Sequence, residues 1–377
     1  MAVKAAMRVL GFMTGTSLDA VDMALLETDG EAIQGFGPAG ERKFTAATRQ
    51  IVEQAILAAR GWPWGAPPPA VFLEAAGVIA DEHLAAANSF LTESGVDPAT
   101  IDLVGVHGQT VLHEPPTPAR AGGRTVQLID ARRLADALGL PVAHDFRTAD
   151  VSAGGQGAPL APVYHAALVR WAGFEAPAAV LNLGGVGNVT LIRSDGGLEA
   201  YDTGPANGMI DLWVQARTDA RCDLDGALAA AGAVQAEVLN TYLAHPYFAA
   251  RGPRSLDRFD FSLDPVAHLS LEDGAATLTA FAAEAVALGL RGLSEAPARL
   301  IVAGGGRLNP ILMAAISSRL DIPLQTAEEV GWRGDSVEAE AFAYLAARTS
   351  RGLPISFPAT TGVAAALTGG RIITPRS

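Results

Sequence analysis

The chain of 377 residues has almost no cysteine: Cys222 is the single one. One thiol cannot close an intramolecular disulfide or build a cysteine-based zinc site, so Cys222 reads as a small core residue. Basic residues are also in short supply. There are 27 Lys and Arg against 40 Asp and Glu, a net charge of −13. Such a chain lacks the broad basic face of a nucleic-acid binder and the polybasic patch of a membrane-surface protein. An anionic ligand would need a local device: backbone N–H groups, a few arginines or a metal ion. Charged residues are only 18% against 49% hydrophobic, which excludes a disordered chain and suffices for two domains with their own cores. Long uninterrupted apolar runs are missing too. The most apolar stretch, 275–290, is rich in alanine, carries Glu284 and reads as a buried helix. The opening MAVKAAMRVLGFMTGTS runs straight into a strand-like pattern without the apolar core of a signal peptide. A cytoplasmic protein is expected. No Ser/His/Asp order and no metal-type histidine spacing stands out, since His107 and His113 lack partners at ligand spacing.

Apolar runs at 7–13, 21–28 and 32–36, separated by Gly-bearing turns, predict an antiparallel meander. Helical spacing follows over 45–60 and 70–94, with a Pro-rich loop at 62–69. Strands are predicted over 101–107, 125–129 and 141–144, and helices over 130–138 and 162–171. The layout then restarts. Runs at 178–183, 188–192 and 198–201 are joined by a Gly turn and an Asp-Gly turn. Helices are predicted over 207–217, 231–244 and 275–290, then a strand over 300–303. A helix begins near Asn309, with Pro310 in its first turn, and another covers 337–349. A layout that occurs twice predicts an α/β protein of two similar halves with a cleft between them. The expected division is 1–149 with 358–377 for the first domain and 150–357 for the second.

Several motifs can carry chemistry. Gly15-Thr16-Ser17-Leu18-Asp19-Ala20-Val21-Asp22 sits at a hairpin turn. Its backbone N–H groups and small hydroxyls can hold phosphate oxygens, and Asp19 can orient water around Mg²⁺; an ordinary hairpin with an Asp at the turn fits the same letters. The lysine of the GxxxxGK[ST] phosphate loop is missing. Gly184-Gly185-Val186-Gly187-Asn188 forms a second backbone cradle. Gly304-Gly305-Gly306, after a strand, lets a ring or phosphate approach the chain closely. Its spacing is not G-x-G-x-x-G, so no dinucleotide site is read. Asp202, in Tyr201-Asp202-Thr203-Gly204-Pro205, ends a strand before a helix; it is a candidate general base or a turn cap. His107, at a strand end with Gln109 nearby, can hold a sugar hydroxyl or simply fill the core. Asp145 and Arg147 precede a glycine-rich loop and form either a substrate loop or a solvated ion pair. Glu338 falls in the first turn of a helix, where acidic residues are favoured anyway.

Taken in order, these motifs resemble the anhydro-N-acetylmuramic acid kinase family. The stretches that carry the resemblance are GFMTGTSLDAVD, GVHGQTVLHEP, HDFRTADVSAGGQGAPLAP, VLNLGGVGNV, YDTGPANGMID, RGPRSLDRFDF, VAGGGRLNP, GDSVEAEAFAYLA and PATTGV, from Gly11 to Val363. The resemblance implies a two-domain actin-like ATPase (ribonuclease H-like) fold of the actin/Hsp70/sugar-kinase superfamily, with a central nucleotide and substrate cleft. It implies Mg-ATP bound at residues 15–22, at Gly184, Gly185, Gly187 and Asn188, and at Gly304, Gly305 and Gly306, with Asp19 reaching the metal through water. It implies hydrolytic opening of 1,6-anhydro-N-acetylmuramic acid coupled to phosphorylation of O6, in peptidoglycan recycling. Asp202 would be the base on water, and Glu338 would position the water or the sugar. His107, Gln109, Asp145, Arg147 and Gly204 would line the sugar site, and a homodimer is expected. The chain departs from the family pattern at Ala20, where Gly is usual, at Leu128-Ile129-Asp130-Ala131, and at Arg254, where Lys is usual; the last bears on nucleotide or hinge contacts. The alternatives are another sugar or acid kinase, in which Asp202 activates a hydroxyl, or an actin- or Hsp70-like ATPase switch. Substrate profiling separates the first, and ATP turnover without a small molecule marks the second.

Overall fold

The computed structural model describes residues 5–15, 18–117, 120–250, 252–256 and 260–376. Two compact units result: Met1–Trp171 with Ser336–Ser377, and Ala172–Asp335.

In the first unit, β1 (Met7–Thr14), β2 (Ala20–Thr28) and β3 (Ile33–Lys43) form the expected antiparallel meander. β4 (Leu103–Val106) runs parallel to β1. β5 (Gln109–Glu114) and β6 (Arg124–Leu128) form a separate hairpin. β7 (Val142–His144) lies parallel to β4. In the second unit, β8 (Ala178–Leu183), β9 (Val186–Ile192) and β10 (Leu198–Pro205) repeat the meander. β11 (Leu300–Ala303) and β12 (Leu324–Thr326) add in parallel beside β8. β13 (Arg371–Ile373) returns to the first sheet as an antiparallel edge on β7. The sheet orders are β13-β7-β4-β1-β2-β3 and β10-β9-β8-β11-β12. Apart from β13, both follow one plan: third, second, first, fourth, fifth. This duplicated α/β plan is the actin-like, ribonuclease H-like architecture that the motifs imply.

Two glycines set how the first sheet is covered. The helix Val337–Ser350 crosses β1 and β4 with its backbone almost touching the strands. A Cβ at Gly11 would lie 2.0 Å from the Ala339 carbonyl oxygen, and one at Gly105 would lie 2.3 Å from that of Phe342. The helix runs against β1, with Ser350 beside Met7 and Ala339 beside Gly11. Its first turn, with Glu338, therefore falls at the C-terminal end of β1. Gly11→Val or Gly105→Val is expected to destabilise the protein by about 3 kcal/mol or more, because the added carbons meet backbone that cannot move aside. Urea denaturation checks this; a change under about 1 kcal/mol would show that the helix can lift.

This packing moves the expected domain boundaries. Residues 150–171 and 336–357 belong with the first unit rather than the second. Tyr164, in the helix Pro162–Trp171, donates to the buried carboxylate of Glu340 at 2.5 Å, and Arg170 donates to the Glu31 carbonyl at 3.0 Å. Other expectations also shift. The helix expected over 231–244 divides into Ala227–Ala231 and Ala236–Leu243. The break is at Gly232, where a Cβ would come within 2.1 Å of the Glu272 carbonyl. Cys222 is exposed rather than in the core, because its segment, with Thr218, Asp219 and Arg221, is a polar surface connection. The apolar helix Leu271–Arg291 forms the buried centre of the second unit, capped by the Ser270 side chain.

Candidate functional site

In the first unit, the chain leaves β1 at Gly15 and enters β2 at Ala20. Thr16 and Ser17, two of the expected phosphate-binding residues, lie outside the described residues. Leu18 adopts the left-handed conformation, with φ 56°. Its carbonyl accepts from Arg49 Nε at 3.0 Å, and the Asp19 carbonyl accepts from the Phe44 N–H at 2.8 Å. The Asp19 side chain is exposed. Ala20 and Val21 turn into the core, and Asp22 lies half-buried opposite Met13. The turns after β1 and β4 are bonded together: Thr14 Oγ1 donates to the Gly108 carbonyl (3.0 Å) and Gln109 Nε2 to the Gly15 carbonyl (3.2 Å).

His107 ends β4 and is only 4% exposed. Arg147 Nε donates to its Nε2 at 3.0 Å, while Arg147 Nη1 donates to the Gly157 carbonyl at 2.7 Å. An arginine only donates, so the imidazole is neutral with its proton on Nδ1. Burial, and then the Arg147 charge, hold His107 well below the ordinary histidine range. The ring packs against Phe342 at 4.6 Å, in the helix that carries Glu338. The structure thus gathers His107, Gln109 and Arg147. It places the Asp145 carboxylate with Arg371 Nε instead, at 3.1 Å. Arg371 arrives on β13, an edge strand that the sequence pattern did not reveal.

Two residues outside the expected set support this group. Asp150 is buried and accepts from the Gly157 N–H at 2.6 Å and from Thr361 Oγ1 at 2.5 Å. It thereby fixes the loop whose carbonyl anchors Arg147. His113 sits against Gly157 and is pushed down to about 4 by burial, then by Arg147. The signal for both lay in the motifs themselves, HDFRTAD with PATTGV and GQTVLHEP, but only the fold joins them.

In the second unit, Asp202 lies in β10 opposite Asn188, and the register slips between Asp202 and Gly204. Gly204 has φ 155°, and a Cβ there would sit 2.6 Å from that of Ala285. This bulge bends the strand just past the carboxylate. Asp202 is 8% exposed, and its Oδ2 accepts from the Leu256 N–H at 2.8 Å. A backbone donor favours the charged form of a carboxylate.

The glycine turns meet at one end of the second sheet. The Ala206 and Gly208 N–H groups both donate to the Gly185 carbonyl, and the Asn207 N–H donates to that of Gly184. Gly304, with φ 78°, leaves room for a Cβ only 2.4 Å from Asn182 Oδ1. A Cβ at Gly306 would lie 2.6 Å from the Leu183 side chain and 2.9 Å from Asn207 Nδ2. One at Gly187 would lie 2.7 Å from Thr203 Oγ1. Gly305, by contrast, would meet no atom within 4 Å among the described residues. Arg307 braces the turn, donating to the Gly304 carbonyl (3.0 Å) and pairing with Glu328 (2.6 Å) and Asp335 (2.9 Å). The chain therefore passes from Gly304 into a short 3-10 turn, and the next helix begins at Pro310, capped by Asn309 Oδ1. The glycines at 187, 304 and 306 thus let these turns pack closely against one another beside the helix Asn207–Gln215, and the exposed Gly305 leaves bare backbone that a flat ring or phosphate could approach. Among the described residues no three His, Cys, Asp or Glu gather to cage a metal.

A duplicated actin-like plan with glycine turns and a carboxylate at a strand bulge is what an ATP-dependent sugar kinase is expected to have, and sequence comparison places the chain in that class. A model of the family described as anhydro-N-acetylmuramic acid kinase matches residues 7–375. A curated relative of that name from Caulobacter vibrioides is 62% identical over 367 residues, covering 97% of this chain and 99% of its own. One from Phenylobacterium zucineum is 60% identical over 369 residues (98% and 100%), and one from Brucella anthropi 50% over 365 residues (97% and 98%). The chain belongs to the anhydro-N-acetylmuramic acid kinase family.

Proposed function

We propose that this kinase uses ATP to convert 1,6-anhydro-N-acetylmuramic acid into N-acetylmuramic acid 6-phosphate, in recycling of the bacterial cell wall. The observation that carries the reading is Asp202, a nearly buried carboxylate at a strand bulge with a backbone N–H on one oxygen. Its other oxygen takes a proton from water as the water oxygen bonds to C1. The C1–O6 bond breaks, O6 takes the γ-phosphoryl group, and ADP leaves. Glu338, exposed in the first turn of its helix, orients the water or the sugar. His107, Gln109 and Arg147 bind sugar hydroxyls, with Gly204 at the bulge and Asp145 as a further contact. The hairpin at residues 15–22 and the turns at Gly184, Gly185, Gly187, Asn188 and Gly304 to Gly306 hold the nucleotide through backbone N–H groups. Mg²⁺ comes with the ATP and neutralises phosphate charge; Asp19 would hold it through water. Positioning and charge stabilisation dominate phosphoryl transfer, so little else is asked of side chains.

Turnover in ¹⁸O-water with Mg-ATP and the anhydro sugar tests this. Mass spectrometry is expected to find one ¹⁸O at C1 and ordinary oxygen throughout the 6-phosphate. ADP release with open-ring sugars only would point to a plain sugar kinase, and ADP release with no sugar would point to an ATPase switch.

A further inference from the structure

A short segment, 252–256, holds Asp202 through its backbone. The Asp202 N–H donates to the Arg254 carbonyl at 3.0 Å, and the Leu256 N–H donates to Asp202 Oδ2 at 2.8 Å. From the other side, the Tyr247 hydroxyl donates to the Asp202 carbonyl at 2.5 Å. The side chain of Arg254 locks this arrangement. Its guanidinium carbon stands 4.2 Å from the ring centre of Tyr201, the residue before Asp202, and 5.2 Å from that of Tyr247. Its Nη1 donates to the Ala250 and Gly252 carbonyls, at 3.2 and 3.4 Å. A planar cation stacked on tyrosine faces is well fixed, and a lysine ammonium does not reproduce that stacking.

Both charges face the Tyr247 hydroxyl. Burial and then the Asp202 carboxylate raise the Tyr247 pKa, and the Arg254 guanidinium opposes them. Asp260 also faces this hydroxyl. The helix Leu271–Arg291 meets residues 203 and 204 through Gly289 and Ala285, which do not titrate.

We propose that Arg254 is a positioning residue for the base: stacked on Tyr201 and Tyr247, it pins the segment whose backbone holds Asp202. This rests on Asp202 being the base. Two substitutions test the stack: Arg254→Met removes the cation, whereas Arg254→Lys keeps a cation and loses the planar stack.

The test is the pH dependence of kcat and kcat/KM for the full chain, with Mg-ATP and the anhydro sugar, in wild type, R254M, R254K and D202N. R254M is expected to lower kcat about 10-fold with KM for ATP unchanged and the shape of the pH profile kept, and R254K is expected to leave kcat reduced as well. Wild-type kcat in R254M overturns the proposal, as does a loss that appears in KM for ATP instead of kcat. If R254M does not fold, R254K decides alone: reduced kcat with KM for ATP unchanged supports the proposal, and wild-type kcat overturns it. D202N separates the two readings. Near-normal turnover in D202N overturns the base assignment itself, whereas an inactive D202N beside an unaltered R254M overturns only the role of Arg254.

Discussion

Asp202→Asn is expected to lower kcat and kcat/KM at least about 10²-fold while leaving the affinity for Mg-ATP unchanged. The substitution is nearly isosteric. Asn still offers an oxygen to the Leu256 N–H, and the main-chain bonds to Arg254 and Tyr247 do not involve the side chain at all. The bulge and the clamp therefore persist, and what is lost is the capacity to accept a proton. General-base catalysis is typically worth about 10²–10⁴-fold, so a loss in that range assigns the role. Steady-state turnover and calorimetric titration with the nucleotide measure the two halves. Turnover within a few-fold of wild type would remove Asp202 from the mechanism, and weakened nucleotide binding would recast it as a structural anchor of the cradle.

Acid is expected to unfold this protein well above the range where carboxylates titrate. Burial pushes His83 and His165 down to about 4, and burial followed by the charge of Arg147 does the same to His113. Their rings are neutral in the folded protein. In the unfolded chain each returns to about 6.5 and binds a proton more readily. Between about pH 6.5 and 4 the unfolded state thus holds more protons, and stability falls as pH falls. At pH 5 each fully buried ring costs about 2 kcal/mol on this basis. His83 and His165, the two that are fully buried, together account for about 4 kcal/mol, close to the lower end of an ordinary domain's stability of about 5–15 kcal/mol, and His113 adds to this. Urea midpoints should drop steeply between pH 7.5 and 5.0, and His83→Gln, which can still donate to the Ile79 carbonyl, should flatten the slope. A midpoint that stays level over that interval would mean that the rings gain partners as they become charged.

The meander strands and long helices were legible because they combine strong periodicity with Gly, Pro and Asp-Gly punctuation. Asn309 shows the same agreement at a single residue, since it caps the helix expected to begin near it. β12 and β13, three residues each and at most partly buried, lack the apolar run that marked the equally short β7, and so escaped. With β13 went the partner of Asp145. β5 was hidden because its residues, QTVLHE, read as part of a motif rather than as a strand. The domain boundary failed for a different reason. The helix Val337–Ser350 joins the first unit through Gly11 and Gly105, and a glycine in a strand does not reveal which distant helix will lie on it. The glycine turns were legible one by one. Their convergence depends on the parallel pairing of β8 with β11, which places Asn182 beside Ala303 across more than a hundred residues. The same holds for Arg147 and His107, whose bond gives the ring a tautomer that no local pattern specifies.

The bare glycine face of β1 and β4 also has a bearing on synthesis. Gly11 and Gly105 await a helix that begins at Val337, near the end of the chain. At about 5–20 residues per second, the ribosome needs roughly 10 to 45 seconds to pass from Gly105 to Val337, and roughly 15 to 65 seconds from Gly11. In that interval the sheet of the first unit stands open on one side, while residues 172–335 emerge as an uninterrupted stretch that contains all of its own sheet. The unit that lies wholly within residues 172–335 is thus the one able to finish first, and the nascent chain carries its first sheet half-covered until the helix Val337–Ser350 arrives.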